Sequence, residues 1–185
     1  MLPEISKILS NPVNVFVLGW LGIYLFFVFF IFFYKLFSLI SWIGREEESL
    51  NALLMGGHLP SSSSLYNCLT QAQNVTSLTF DACIQAAKKK ATSSIVFLSI
   101  VASTAPFIGL FGTVVGILNA FSSMKSVTTI NMIAPAIADA LIATALGIIV
   151  AVPAYTFHQI LSKKVEDLIS LLIMQKDFYL SNEEA

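Results

Sequence analysis

The chain has 185 residues, of which 56% are apolar and only 11% are charged, and its formal net charge is -1. Soluble domains usually carry about 25% charged residues, so this composition is typical of an integral membrane protein. The near-neutral charge argues against nucleic acid as a partner. The sequence contains no phosphate-binding loop, metal-ligand cluster or nucleophile–base pair, so we expect no enzyme, no metal site and no cofactor.

The first predicted membrane span covers residues 13–43, after a short N-terminal stretch of residues 1–12. Residues 13–34 carry no charge, and this run is too long for the core of a cleaved signal peptide. Trp20 and Trp42 are separated by ~33 Å of helix, which fits the two interfacial belts of a bilayer. Because the helix is apolar on every side, we expect it to face lipid. Its central aromatic residues are Phe26, Phe27, Phe29, Phe30, Phe32, Phe33 and Phe37.

Residues 44–93 form a predicted loop of short helices, broken at Gly56-Gly57, at residues 60–64 and near Asn74. About 50 residues are too few for a confident independent domain. The charged runs Glu46–Glu48 and Lys88–Lys90 are interpreted as solvated helix ends, with a salt-bridged collar between subunits as the alternative.

The loop also contains the two cysteines of the chain, Cys68 and Cys83. Their spacing fits no common zinc-binding pattern. We expect them to act as small apolar residues and, in a cytoplasmic loop, to be free thiols.

The second and third predicted spans cover residues 94–121 and 127–161. Only residues 122–126 separate them, so the two helices form an antiparallel hairpin. The third segment is longer than the ~20 residues that cross a bilayer. It is therefore expected to continue as a helix through Ser162–Tyr179 of the tail, residues 162–185.

Orientation follows from the basic residues, which concentrate in the loop and the tail. Only Lys7 and Lys125 lie on the opposite side. The positive-inside rule places the loop and the C-terminus in the cytoplasm, and the N-terminus and the hairpin turn in the periplasm or exterior. The sequence thus predicts an all-α integral membrane protein with three transmembrane helices, a hairpin and helical cytoplasmic extensions.

Asp139 is the only formally charged residue between Val127 and Leu161. A carboxylate in the hydrocarbon layer costs roughly 3 kcal/mol on insertion scales, so such residues usually serve an ion or proton path. Small residues at helical spacing allow helices to approach closely, and plain packing is their simplest role. These candidate packing residues are Gly109, Gly112, Gly116, Ala140, Gly147 and Ala151. Pro106 and Pro153 each remove a backbone hydrogen bond and predict a kink, either static or flexible.

Two blocks on the second and third helices carry a family resemblance. Residues 105–121 are APFIGLFGTVVGILNAF, and residues 134–154 are APAIADALIATALGIIVAVPA. Together they resemble the MotA/TolQ/ExbB proton-channel family, in its TolQ/ExbB branch. A flagellar MotA-type stator is less similar, because that type has four spans and a large cytoplasmic insertion.

The resemblance implies a homopentamer whose second and third helices line a pore. A single-span partner of the TolR/ExbD type would sit in that pore, with a TolA- or TonB-type protein as a further partner. Proton flow would then drive a motor in the inner membrane of a Gram-negative bacterium. The short N-terminal stretch favours the TolQ type, which supports outer-membrane integrity and cell division. The alternatives are an ExbB type, which energises TonB-dependent import, and a passive membrane scaffold.

The resemblance also implies roles for three residues. The pore threonines of the family fall on Thr113 and Thr144. The acidic position falls on Asp139, where the family pattern has Glu, so the carboxylate reaches one methylene less. The alternatives are a threonine hydroxyl bonded to its own helix and an Asp139 that is a structural partner of a neighbouring helix.

Overall fold

The computed structural model describes residues 12–56, 59–70, 76–122 and 130–183. Within these ranges the chain forms five α-helices and no strand. They are α1 (Pro12–Gly56), α2 (Ser64–Leu69), α3 (Ser77–Thr92), α4 (Ile95–Ser122) and α5 (Ile130–Glu183). Helices α1, α4 and α5 are long and apolar enough to cross a membrane. The expected all-α membrane fold with three candidate spans is therefore confirmed.

The helices differ in length from the predicted spans. Helix α1 extends beyond residue 43 as far as Gly56, and α5 continues through the tail to Glu183. In the polar part of the chain before α4, helix α1 ends at Gly56 and α2 begins at Ser64. The predicted break near Asn74 and most of the predicted turn at residues 122–126 lie outside the described residues.

The chain divides into two compact units. The first comprises Met1–Phe30 and Phe97–Phe157, and the second comprises Ile31–Val96 and His158–Ala185. In the first unit, small and β-branched side chains from α1, α4 and α5 form the core, which suits close approach of helices in lipid. Its buried members are Val17, Leu21, Val28, Val101, Ala105, Ala143, Val150, Ala151 and Ala154.

Helix α1 has one buried stripe although its sequence is apolar on every side. Val17, Leu21 and Val28 recur at intervals of four and seven residues, which keeps them on one helix face. Most of the phenylalanines point away from this stripe, as expected for a lipid-facing helix. Phe32 departs from that expectation: it is only 8% exposed, because it follows Val28 by one turn on the buried face.

The second unit begins its short helices with side-chain caps. The Ser63 hydroxyl accepts a hydrogen bond from the Leu65 amide, and the Thr76 hydroxyl accepts one from the Thr79 amide. Each cap satisfies an otherwise unpaired N–H at the start of its helix. The core that α2, α3 and α5 share consists of Leu65, Leu69, Phe80, Cys83, Ile84 and Leu172.

Cys68 and Cys83 form a disulfide in this second unit, so the prediction of free thiols is wrong. Their Cα atoms are 5.9 Å apart, within the range that a disulfide requires. The cause is the packing of α2 against α3, which brings Cys68 to the edge of the core that contains Cys83. The sequence spacing alone gives no sign of this packing.

Candidate functional site

Helices α4 and α5 contact each other closely at two glycines. A Cβ atom at Gly109 would lie 2.6 Å from the carbonyl oxygen of Ala143. A Cβ at Gly147 would lie 2.7 Å from the carbonyl oxygen of Ala105. Both distances are to backbone atoms, which do not move aside as the end of a side chain does. The two helices therefore approach as closely as they do because neither position has a side chain.

Further along the same crossing, small side chains fill the space. A Cβ at Gly112 would lie 2.9 Å from the Ala143 methyl carbon, and one at Gly116 would lie 2.8 Å from the Ala140 methyl carbon. Ala140 and Ala143 are buried at 1% and 5% exposure, and Ala151 is buried farther along α5. All six candidate packing residues thus belong to α4 or α5, and the four glycines all lie at the contact.

The two candidate threonines meet at this crossing. The Thr144 hydroxyl donates a hydrogen bond to the Thr113 hydroxyl oxygen, with 3.4 Å between the oxygens. This distance is longer than the usual O–H···O distance of about 2.7–2.8 Å, so the bond is weak. The Thr113 hydroxyl in turn donates to the Leu110 carbonyl at 2.7 Å. Thr113 is thus bonded to its own helix as well as to Thr144, and it is only 5% exposed.

Asp139 lies on α5 directly before the buried Ala140 and is itself half-buried. It is five residues before Thr144, which is about 1.4 turns or ~7.5 Å of helix at 1.5 Å per residue. None of the hydrogen bonds or ion pairs between described residues includes Asp139. The structure therefore brings Thr113 of α4 and Thr144 of α5 together. Asp139 precedes Thr144 on α5 and is not part of this contact.

Pro106 and Pro153 are half-buried within continuous helices, and α5 contains a further proline, Pro135. Each proline lacks the N–H that would bond to the carbonyl four residues earlier. Both predicted positions flank the crossing, Pro106 next to Ala105 of α4 and Pro153 next to Ala154 of α5. A flexible role for them stays a prediction.

A second polar site lies in the second unit, around Glu46. This carboxylate is 0% exposed, so its interpretation as part of a solvated helix end is wrong. One carboxylate oxygen accepts from the Ser64 amide at 2.9 Å and lies 3.2 Å from the Trp42 indole nitrogen. The indole N–H is shared with the Ser64 hydroxyl oxygen, which is closer at 2.7 Å. The other lies 3.2 Å from both the Ser63 hydroxyl and the Gln175 side-chain amide nitrogen.

Gln175 completes this site from the other end of the chain. Its side-chain nitrogen also donates to the Glu46 backbone carbonyl at 2.9 Å, and its side-chain oxygen accepts from the Ser63 hydroxyl at 2.9 Å. Ser63 and Gln175 are both 0% exposed. The sequence analysis missed this network because Glu46 and Gln175 are 129 residues apart. The only indication of it in the sequence is a serine-rich stretch that follows an acidic run.

Among the described residues, no group of three or more His, Cys, Asp or Glu side chains is placed to hold a metal ion. The polar groups at the two sites are hydroxyls, amides and carboxyls. Such groups bind water, exchange protons and form hydrogen bonds across helices.

Comparison with known proteins is consistent with this geometry. Residues 61–174 match the model of the MotA/TolQ/ExbB proton channel family. The chain is 40% identical over 180 residues to the putative biopolymer transport protein ExbB-like 1 of Helicobacter pylori, and the match covers 94% of each chain. It is 45% identical over 84 residues to the Tol-Pal system protein TolQ of Pseudomonas aeruginosa, covering 44% of this chain and 36% of that protein. It is 40% identical over 84 residues to the biopolymer transport protein ExbB of Pseudomonas putida, covering 44% and 26%.

Proposed function

This chain belongs to the MotA/TolQ/ExbB proton channel family, and from that premise we propose that it is the channel subunit of a proton-driven motor in the bacterial inner membrane. Five copies surround a pore lined by α4 and α5, and a single-span partner of the TolR/ExbD type occupies that pore. Proton flow drives a movement that a TolA- or TonB-type protein passes to the cell envelope. The observation that carries the proposal is the threonine pair at the α4–α5 crossing.

The hydrogen-bond order of this pair supports a role in proton transfer. The one hydroxyl hydrogen of Thr113 is committed to the Leu110 carbonyl, and that of Thr144 is directed at Thr113. The Thr144 oxygen therefore keeps its lone pairs for a donor from outside the subunit. A water molecule or the protonated carboxylic acid of a partner is such a donor. Thr144, which is half-buried, is thus suited to receive a neutral acid in the pore.

The test is proton flux through vesicles that contain the chain and its single-span partner. We expect Thr144→Val to reduce flux to background at normal assembly, because valine keeps the shape but removes the hydroxyl. Thr144→Ser should retain flux. The matched control is Thr156→Val on the same helix, since the Thr156 hydroxyl is exposed and donates to its own helix at the Val152 carbonyl, 2.9 Å away. Undiminished flux in Thr144→Val would favour the passive scaffold.

Between the two types of motor, the near full-length relative favours the ExbB type, because that protein is named ExbB-like. This revises the preference for the TolQ type, which rested on the short N-terminal stretch. The shorter matches do not distinguish the two types, because the identity over 84 residues is 45% to a TolQ protein and 40% to an ExbB protein. Deletion of the gene decides: an ExbB type loses uptake of iron chelates or cobalamin, whereas a TolQ type becomes detergent-sensitive and divides abnormally.

We place the polar loop and the tail in the cytoplasm. The concentration of lysine and arginine in these segments supports this orientation. The disulfide is the opposing observation, since stable disulfides are typical of oxidising compartments. The basic residues have the greater weight, because the positive-inside rule acts on the insertion of the helices themselves.

A further inference from the structure

Two lysines and a tryptophan meet in the second unit. The Lys35 ammonium of α1 donates a hydrogen bond to the backbone carbonyl of Lys90, in the last turn of α3, at 3.2 Å. The Lys90 ammonium lies over the Trp42 ring, 5.7 Å from its centroid. Lys35 and Trp42 are seven residues apart, which places them on the same face of α1. The sequence analysis overlooked Lys35, which interrupts the first predicted span.

No carboxylate neutralises this pair within the part of the chain that the structure describes. The four ion pairs there use Lys163, Lys164 and Lys176, and none includes Lys35 or Lys90. The C-terminal end of α3 offers a partial negative charge, but a helix dipole is equivalent to only about half an elementary charge. Most of the positive charge of the two ammonium groups is therefore not balanced at this position.

The acidic residue nearest along α1 is already committed. Glu46 accepts hydrogen bonds from the Trp42 indole, the Ser64 amide and the Gln175 side chain. Trp42 thus contacts two environments: its N–H is shared between the Ser64 hydroxyl oxygen and the buried carboxylate, and its ring lies under the Lys90 ammonium. An anion for the lysines has to come from outside the described part of the chain.

The position along α1 indicates where such an anion would come from. Tryptophan prefers the membrane–water interface, and Lys35 lies ~10 Å of helix from Trp42 on the apolar side. A charged side chain at that depth is costly unless it reaches the interface or a partner. The Lys35 ammonium contacts the Lys90 carbonyl, and the Lys90 ammonium lies over the Trp42 ring, so both charges are near a residue that prefers the interface.

We propose that Lys35 and Lys90 bind the phosphate of an anionic membrane lipid such as phosphatidylglycerol. An ammonium has three N–H donors, and Lys35 uses one of them on the Lys90 carbonyl. Two donors of Lys35 and those of Lys90 remain for phosphate oxygens. The lipid thereby supplies the charge that the protein lacks at this point. One lipid occupies the site on each copy of the chain.

The test is lipid retention by the purified protein, measured by native mass spectrometry after exchange into micelles with phosphatidylglycerol or phosphatidylcholine. We expect the wild type to retain phosphatidylglycerol in preference. Lys35→Gln and Lys90→Gln should each reduce that retention about fivefold, as expected for one basic residue near anionic lipid. Lys35→Arg should retain it.

The matched control is Lys163→Gln, which makes the same charge change where the ammonium is already 3.7 Å from Glu166 and 3.6 Å from Asp167. It should not alter retention. Lys90→Gln leaves the bond from Lys35 intact, because that bond uses the Lys90 backbone. Retention of phosphatidylglycerol by both glutamine variants at the wild-type level would overturn the proposal. Retention of phosphatidylcholine by the wild type as strongly as phosphatidylglycerol would overturn it as well. Displacement of the lipid by comparable concentrations of free glycerol phosphate would reassign the site to a soluble phosphate.

Discussion

A carboxylate that is removed from water needs hydrogen-bond donors, and at Glu46 they come from Trp42, Ser64 and Gln175. Leaving a buried charged group without such donors costs more than the bonds are worth on the surface. The network therefore specifies how α1, the start of α2 and α5 pack in the second unit. Its members contribute to folding of the second unit, whereas the residues of the proposed proton path belong to the first unit.

Gln175→Leu removes the side chain that bonds to both Glu46 and Ser63. We expect a loss of about 2–3 kcal/mol in the free energy of unfolding, because the two groups stay buried without that partner. The measurement is denaturant unfolding in mild detergent, followed by tryptophan fluorescence, since Trp42 donates to Glu46. The exposed Gln85→Leu on α3 of the same unit is the control and should change stability by less than about 0.5 kcal/mol. Equal effects would argue against the network.

The role of Asp139 is tested by Asp139→Asn, which keeps size and hydrogen-bonding capacity but does not ionise. A proton role predicts loss of flux at normal assembly, and this is the outcome we expect. A structural role predicts flux close to that of the wild type. Flux through vesicles with the partner protein distinguishes the two, and an assembly assay on the same sample excludes misfolding as the cause.

At the scale of helices, the α4–α5 contact depends on glycines that have no room for a side chain. Gly109→Ala would place a methyl carbon 2.6 Å from the Ala143 carbonyl oxygen, so the helices have to separate. We expect a loss of about 2 kcal/mol, in the range of overpacked cores, and reduced proton flux. The melting temperature in mild detergent reports the stability change.

Gly22→Ala is the control for this substitution. Apart from its chain neighbours and the backbone of its own helix, no atom lies within 4 Å of the position that its Cβ would occupy. Alanine is the better helix former by up to about 1 kcal/mol, so stability should stay the same or rise. If Gly109→Ala and Gly22→Ala changed the melting temperature alike, close packing at the crossing would not be the reason for glycine there.

The helices and the crossing could be predicted because their signals are local. An uncharged apolar run and glycines one turn apart on α4 indicate a membrane helix and its contact face without knowledge of the partner. The disulfide and the Glu46–Gln175 bonds could not be predicted, since they depend on which surfaces of the second unit meet. The buried Glu46 shows the limit clearly: beside Glu47 and Glu48, which are exposed, its environment follows from packing and not from composition.

At the scale of the whole molecule, we predict that the chain assembles as a pentamer. Several large apolar side chains of α4 are exposed in the single chain, including Phe107 at 69%, Phe111 at 60% and Leu118 at 62%. In a pentamer, neighbouring subunits cover part of such a surface. Native mass spectrometry in gentle detergent should show five copies, with partner protein added when the two are co-expressed. A stable monomer under those conditions would contradict the prediction.

The bond between Cys68 and Cys83 closes the chain into a covalent ring that contains residues 69–82. A protease cut anywhere inside that ring opens the backbone but leaves both pieces joined through sulfur. The nicked protein would migrate as one species on a non-reducing gel and would separate into two only after reduction. Intactness on a non-reducing gel therefore says nothing about the continuity of the segment between α2 and α3.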